Sequence, residues 1–279
     1  MVAVHELGGE GQPLLVSHAT GFHGRCYLPL AHELAGQFRC TAFDYRGHGD
    51  TPQPDAPVDW ERYADDAHEV ARALVARHGQ PIDAFGHSMG GACLLMVALR
   101  EPGLFRRLVV FEPIVFPPGG LRPDDAGGDD PDSSPMVQAA RRRRAVFPSF
   151  QAAIDNYSAK PPLNGFTPEA MRAYVEHGFR QDADGVHLKC TPEVEAATFA
   201  TGSQHRTWEQ LHRIETPTVV VSGRVQPFQP ATFAAPIAEL LPHDRLVQAD
   251  DLDHFGPMTH PDRVAQIIID ALPHTPSLR

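Results

Sequence analysis

Short apolar runs alternate along this chain with longer segments whose apolar residues recur at helical spacing. Leu14 to Ser17 and Cys40 to Asp44 read as strands. Trp60, Tyr63, Ala64, Ala67, Val70, Ala71, Leu74 and Val75 then fall on one face of a helix. Pro81 to Phe85 is the next strand candidate, and it stops at Gly86. The segment Ala92 to Leu99 is apolar all round, as a helix buried on every side must be. Leu108 to Phe111 is a strand of the composition that suits a buried parallel sheet.

The alternation breaks after Glu112-Pro113. Pro117 to Pro135 is crowded with Pro, Gly, Asp and Ser and reads as an exposed linker. Helical patterns follow at Val137 to Phe147 and Pro168 to Gly178. Strand and helix signals resume with Pro217 to Gly223, Thr232 to Leu241, Arg245 to Gln248 and a last helix over Pro261 to Leu272. Strands alternating with helices predict βαβ units and a mostly parallel, doubly wound α/β sheet. The expected division is a core of residues 1–113 and 214–279, with 114–213 as a mainly helical insertion.

Chemistry enters at Gly86-His87-Ser88-Met89-Gly90, a Gly-x-Ser-x-Gly between a strand and a helix. Such a turn puts the serine at a strained backbone angle, and small neighbours let it fit between sheet and helix. Ser88 is therefore the candidate nucleophile. The amide of Met89, at the helix start, is placed to stabilise an oxyanion. A second donor is expected from the loop His18-Ala19-Thr20-Gly21-Phe22-His23-Gly24, which follows the first predicted strand. It is similar to a His-Gly-x oxyanion loop with two extra residues. That alignment assigns the donor to Phe22 and leaves Thr20 as the rival.

With 16 histidines in the chain, position must select the general base. His254, in Asp253-His254-Phe255-Gly256-Pro257-Met258, lies between the last predicted strand and the last helix. His18 and His87 are better explained as orienting or packing groups, and His260 as a helix-start residue. The acid is harder to place. The stretch after the strand at Val219 to Ser222 is Gly223-Arg224-Val225-Gln226, where a Gly-x-x-Asp is the commoner pattern. A glutamine cannot hold a negative charge against an imidazolium. Glu112, directly after Leu108 to Phe111, is the alternative. Its bland reading is a strand-end residue paired with an arginine, and Asp250, Asp251 and Asp253 are rivals for the role.

These landmarks, with Asp44-Tyr45-Arg46-Gly47-His48-Gly49 as an Asp-x-Arg-Gly-x-Gly turn, resemble the α/β-hydrolase superfamily in identity and order. The closer resemblance is to serine hydrolase branches whose acid follows the strand before the cap. It implies an α/β-hydrolase fold with a cap over the pocket and a cofactor-free, metal-free triad of Ser88, His254 and Glu112. Phe22 and Met89 would hold the oxyanion. The implied reaction cleaves a carboxylic ester, lactone or thioester of a small hydrophobic substrate through an acyl-enzyme. A carbon–carbon bond hydrolase, an acyltransferase and a non-catalytic ligand-binding protein remain alternatives on the same fold.

Composition narrows the partners. Of 279 residues, 42% are hydrophobic and 21% charged, an ordinary globular balance. The net charge of -11 argues against nucleic acid as a partner. The one basic cluster, Arg141 to Arg144, reads as a solvated helix face. Four cysteines without a short-spaced pair suggest neither zinc nor a disulfide scaffold. No signal peptide or membrane-spanning run is visible, so a soluble, cytoplasmic setting is expected, compatible with a homodimer. Gly8-Gly9-Glu10-Gly11 lacks the lysine and helix of a phosphate loop and reads as a turn.

Overall fold

The computed structural model describes residues 1–118, 134–227 and 229–273. Seven strands build the main sheet: β1 (Ala3–Gly8), β2 (Gln12–Ser17), β3 (Phe38–Asp44), β4 (Ile82–His87), β5 (Phe105–Phe111), β9 (Thr218–Ser222) and β10 (Asp244–Gln248). Their order across the sheet is β1-β3-β2-β4-β5-β9-β10. Every pair is parallel except β1 with β3. This is the α/β-hydrolase fold.

The strand period of two sorts the core. Leu14, Val16, Phe85, Val109, Phe111 and Val221 pack on one face, while Leu15, Ala84, Leu108, Val110 and Val220 pack on the other. The first face is covered by α1 (Leu28–Leu34) and α10 (Pro261–Ala271). The second carries α2 (Trp60–His78), α3 (Met89–Arg100) and α8 (Ala234–Leu240). Helix α2 starts where the Asp59 side chain accepts the Glu61 amide and ends at Gly79, whose φ of 69° only glycine adopts freely.

Between β5 and β9 lie α4 (Pro135–Arg141), β6 (Val146–Phe147), α5 (Phe150–Ser158), α6 (Pro168–Gly178), β7 (Phe179–Asp182), β8 (Gly185–Leu188) and α7 (Pro192–Ala200). Thr167 and Thr191 cap α6 and α7 with their hydroxyls, each followed by proline at the first helical position. The insertion is thus mostly helical, but β6, β8 and β7 add an antiparallel sheet absent from the sequence expectation. The helix expected over Val137 to Phe147 stops at Arg141, because Val146 and Phe147 pair with His187 and Val186 instead. Most of the expected linker, residues 119–133, lies outside the described residues.

Candidate active site

The turn from β4 to α3 carries Ser88 at φ 55° and ψ −117°. A non-glycine residue at that angle is strained by roughly 1–3 kcal/mol, a cost the surrounding packing must impose. The neighbouring glycines show how. A Cβ on Gly86 would meet the Gly91 Cα at 2.7 Å, and one on Gly90 would meet the Ser17 carbonyl oxygen at 2.2 Å. Both obstacles are backbone, so neither can move aside cheaply. The Ser88 amide donates to the Phe111 carbonyl (2.9 Å), anchoring the elbow to β5. Met89 opens α3, so its N–H is one of the donors with no intrahelical acceptor.

His254 sits in the turn between β10 and the short α9 (Gly256–Thr259). Its Nδ1 is 2.6 Å from Glu112 Oε2 and its Nε2 is 3.2 Å from Ser88 Oγ. An ionised carboxylate only accepts, so Nδ1–H donates to Glu112 and the Nε2 lone pair faces the serine hydroxyl. Glu112 follows β5 at φ 44°, a second strained non-glycine residue beside the first. Its amide donates to the Val221 carbonyl (2.9 Å), and its Oε1 accepts the Gly223 N–H (2.8 Å). The side chain is 1% exposed. Three backbone and side-chain ties thus aim one buried carboxylate at one imidazole.

The rivals for the acid are occupied elsewhere. Gln226 is exposed, and its carbonyl caps the turn that leads to α8. Asp250 accepts from Gln248, Asp251 pairs with Arg263, and Asp253 accepts the Phe255 N–H within its own turn.

The oxyanion loop differs from its expectation. The Phe22 N–H turns back onto the Ala19 carbonyl (3.2 Å), closing a tight turn with Gly21 at φ 77°. The Thr20 N–H has no hydrogen-bond partner among the described residues. The ungapped alignment, His18-Ala19-Thr20 on His-Gly-x, is the signal in the sequence for Thr20. Phe22 contributes its ring instead. It packs on Tyr174 (5.4 Å between centroids), Phe166 (6.0 Å), Phe255 (6.2 Å) and His87 (6.5 Å). That aromatic wall joins the turn at Gly21, the loop of His254 and α6. Phe147, Tyr157 and Phe179 pack on one another inside the insertion, and Tyr157 also packs edge-on against Tyr174 of the wall (5.6 Å).

Arg143 departs from the solvated face expected of its cluster. Its guanidinium pairs with Glu195 of α7 (2.6 Å), contacts Tyr157 (3.3 Å) and hydrogen-bonds Tyr174. The Glu195 carboxylate lies against Gly21, where a Cβ would come within 2.3 Å of Oε1. The insertion thereby presses a neutralised ion pair onto the turn that holds Thr20.

Burial holds several histidines neutral. It pushes His18 down to about 3 and His23 down to about 4. Neutral His18 donates from Nδ1 to the Ala19 carbonyl (2.8 Å) and accepts the Tyr45 N–H (3.0 Å), which fixes the loop after β2. His23 donates to the Tyr174 carbonyl (3.1 Å) and ties the same loop to α6. The His5, Asp44 and Asp50 group has ligand-type atoms close together. Asp44 is engaged there by His5 and by the Gly24 and Asp50 amides, so it anchors the turn. Burial alone would raise the Asp44 carboxyl, but those bonds hold it well below the usual carboxylate range. His48 donates from Nδ1 to the Arg46 carbonyl (3.1 Å) within that turn, a structural position. No helix among the described residues is long and apolar enough to cross a membrane.

Comparison with known proteins bears on the family and the fold. The chain is 29% identical over 273 residues to a non-heme chloroperoxidase of Streptomyces lividans, covering 91% of this chain and 88% of that one. It is 22% identical to the pimeloyl-[acyl-carrier protein] methyl ester esterase of Vibrio cholerae, covering 97% and 98%. The crystal structure of E-2-(acetamidomethylene)succinate hydrolase superposes with a TM-score of 0.76 at 22% identity, covering 96% of this chain and 94% of that one. A family model described as the alpha/beta hydrolase family matches residues 14–267. The chain belongs to the alpha/beta hydrolase family and is an enzyme of the hydrolase kind.

Proposed function

We propose that this enzyme is a serine hydrolase that cleaves a small carboxylic ester, lactone or thioester through an acyl-enzyme on Ser88. The observation that carries the reading is the unbroken hydrogen-bonded line from Glu112 through His254 to Ser88. His254 Nε2 takes the Ser88 proton as Oγ attacks the acyl carbon, and Glu112 stabilises the imidazolium that forms. The amides of Thr20 and Met89 hold the oxyanion. The imidazolium then protonates the leaving oxygen or sulfur, and a water deprotonated by His254 releases the acid. Each proton transfer is handled by His254, so the cycle closes on the chain's own residues.

Residues 114–213 act as a cap over this site. Phe22, Phe166, Tyr174 and Phe255 supply an apolar wall for the acyl or alcohol group. Four buried thiols among the described residues suit a reducing, cytoplasmic setting. The test is a fluorophosphonate probe with a panel of p-nitrophenyl esters. Labelling and turnover in the wild type, both lost in Ser88→Ala, are expected. A wild-type protein that neither labels nor turns over any ester would overturn the reading.

A further inference from the structure

Beside the proposed triad lies a second chain of hydrogen bonds. The Ala19 N–H reaches the Tyr27 hydroxyl (3.1 Å), that hydroxyl reaches His87 Nδ1 (2.8 Å), and His87 Nε2 reaches the His254 carbonyl oxygen (2.8 Å). Tyr27 and His87 have no exposed surface.

The direction of every bond follows from the donor inventory. The His254 carbonyl can only accept, so His87 Nε2 carries the hydrogen. Burial holds the His87 imidazole neutral, with its protonation pushed well below the ordinary range. A neutral ring has one N–H, so Nδ1 is a lone pair and the Tyr27 O–H must donate to it. The Tyr27 oxygen then accepts from Ala19. No donor is left over, and no other arrangement of hydrogens on the neutral ring satisfies all four groups.

The endpoints are what give the chain its interest. Ala19 immediately precedes Thr20, His87 immediately precedes Ser88, and the terminal carbonyl belongs to His254. We infer that Tyr27 and His87 form a one-way hydrogen-bond relay that sets the relative positions of the oxyanion turn, the nucleophile and the base. Both are positioning residues, since neither touches the reacting atoms. The inference rests on the serine hydrolase reading above. It explains why a histidine stands in Gly86-His87-Ser88 where any buried side chain would fill the space. It also explains why the catalytic histidine is tied through its backbone, which leaves both ring nitrogens free for Glu112 and Ser88.

Misplacing the base by a fraction of an ångström lowers turnover without weakening substrate binding. Tyr27→Phe leaves a buried Nδ1 lone pair unpaired, and His87→Leu removes the relay's centre. Each should lower kcat about ten- to a hundred-fold, with KM within about twofold of wild type. The double variant should be no worse than His87→Leu, because the relay acts as a unit. His87→Gln keeps an acceptor and a donor on one planar group and should recover most of the loss. A ¹⁵N spectrum should show His87 as the neutral Nε2–H tautomer from neutral pH down to mild acid.

Single variants that keep wild-type kcat, losses that fall on KM, or single effects that multiply in the double would overturn the relay. An Nδ1–H tautomer for His87 would do so as well, even if the variants misfold. The kinetic outcomes require an active wild type. An inactive wild type instead overturns the serine hydrolase reading, and the relay with it.

Discussion

Replacing Glu112 by glutamine exchanges one oxygen for an NH₂ group and tests two properties of the proposed triad together. Oε1 of Glu112 accepts the Gly223 N–H at 2.8 Å, and that amide must keep an acceptor. In Glu112→Gln the side-chain carbonyl oxygen is therefore held at Gly223, and the new NH₂ group faces His254 Nδ1. Nδ1 must then accept, which moves the imidazole hydrogen to Nε2. The lone pair that faces Ser88 Oγ at 3.2 Å is lost. The electrostatic part can be sized separately. A carboxylate and an imidazolium in contact at 2.6 Å have charge centres about 4 Å apart, worth about 4 kcal/mol at an effective dielectric of about 20. Each 1.36 kcal/mol is a factor of ten, so the charge alone accounts for about a thousand-fold in kcat, and the wrong tautomer adds to it. The assay is steady-state hydrolysis of a short p-nitrophenyl ester. The expected result is a kcat at least about a thousand-fold lower with KM little changed, while Asp253→Asn stays within a few-fold of wild type. Activity in Glu112→Gln above a tenth of wild type, or a collapse in Asp253→Asn instead, would refute the reasoning.

The packing sets three further outcomes. His18, His23 and His87 are buried neutral with their protonation shifted down, whereas unfolded histidines take up protons below about pH 6.5. The unfolded state binds more protons there, so stability is full above about pH 6.5 and falls by about 1.4 kcal/mol per histidine per unit as pH drops. Three together cost about 4 kcal/mol at about pH 5.5, and a melting temperature that stays flat between about pH 7 and pH 5 would contradict the neutral assignments. Gly90→Ala would force a Cβ to 2.2 Å from the Ser17 carbonyl, so denaturation should show a loss of at least about 2 kcal/mol, or no folded protein. Arg143→Met strands the buried Glu195 carboxylate and should cost about 3–5 kcal/mol by chemical denaturation, most of it recovered in Arg143→Met with Glu195→Leu.

The fold is legible in the sequence where the pattern has room to repeat. Helix α2 runs for 19 residues with one apolar face and a cap at each end, and the buried strands β5 and β9 carry the runs Leu108 to Phe111 and Val219 to Val221 of branched and aromatic residues. Strand β1 is not legible, because only His5 and Leu7 point inward from its edge position. The small sheet of the insertion is hidden for a related reason. Its strands are two to four residues long, and pairing between β6 and β8 decides their conformation over any local preference.

At the site, Ser88, His254 and Glu112 are readable because each occupies a fixed point relative to a strand end. The pointer to Glu112 is the glutamine at position 226, where an aspartate would otherwise hold the imidazole. The proposed oxyanion donor turns on alignment: two residues that look like an insertion belong to a tight turn, with Gly21 supplying the positive φ. Arg143 looks like part of a basic run because charge patterning carries no information about which one of four arginines meets a buried glutamate. Tyr27 and His87 leave no sequence signal beyond their positions, since a directional hydrogen-bond chain exists only once the three loops are assembled.

The most direct test of the central claim is the mass of the intact protein during turnover. Wild-type enzyme quenched in acid within the first turnovers of a p-nitrophenyl ester should carry one acyl group, and peptide mapping should place it on Ser88. The adduct should be absent in Ser88→Ala and should form far more slowly in Glu112→Gln. An acyl group mapped to any other residue, or turnover that persists in Ser88→Ala, would contradict the assignment of Ser88 as the nucleophile.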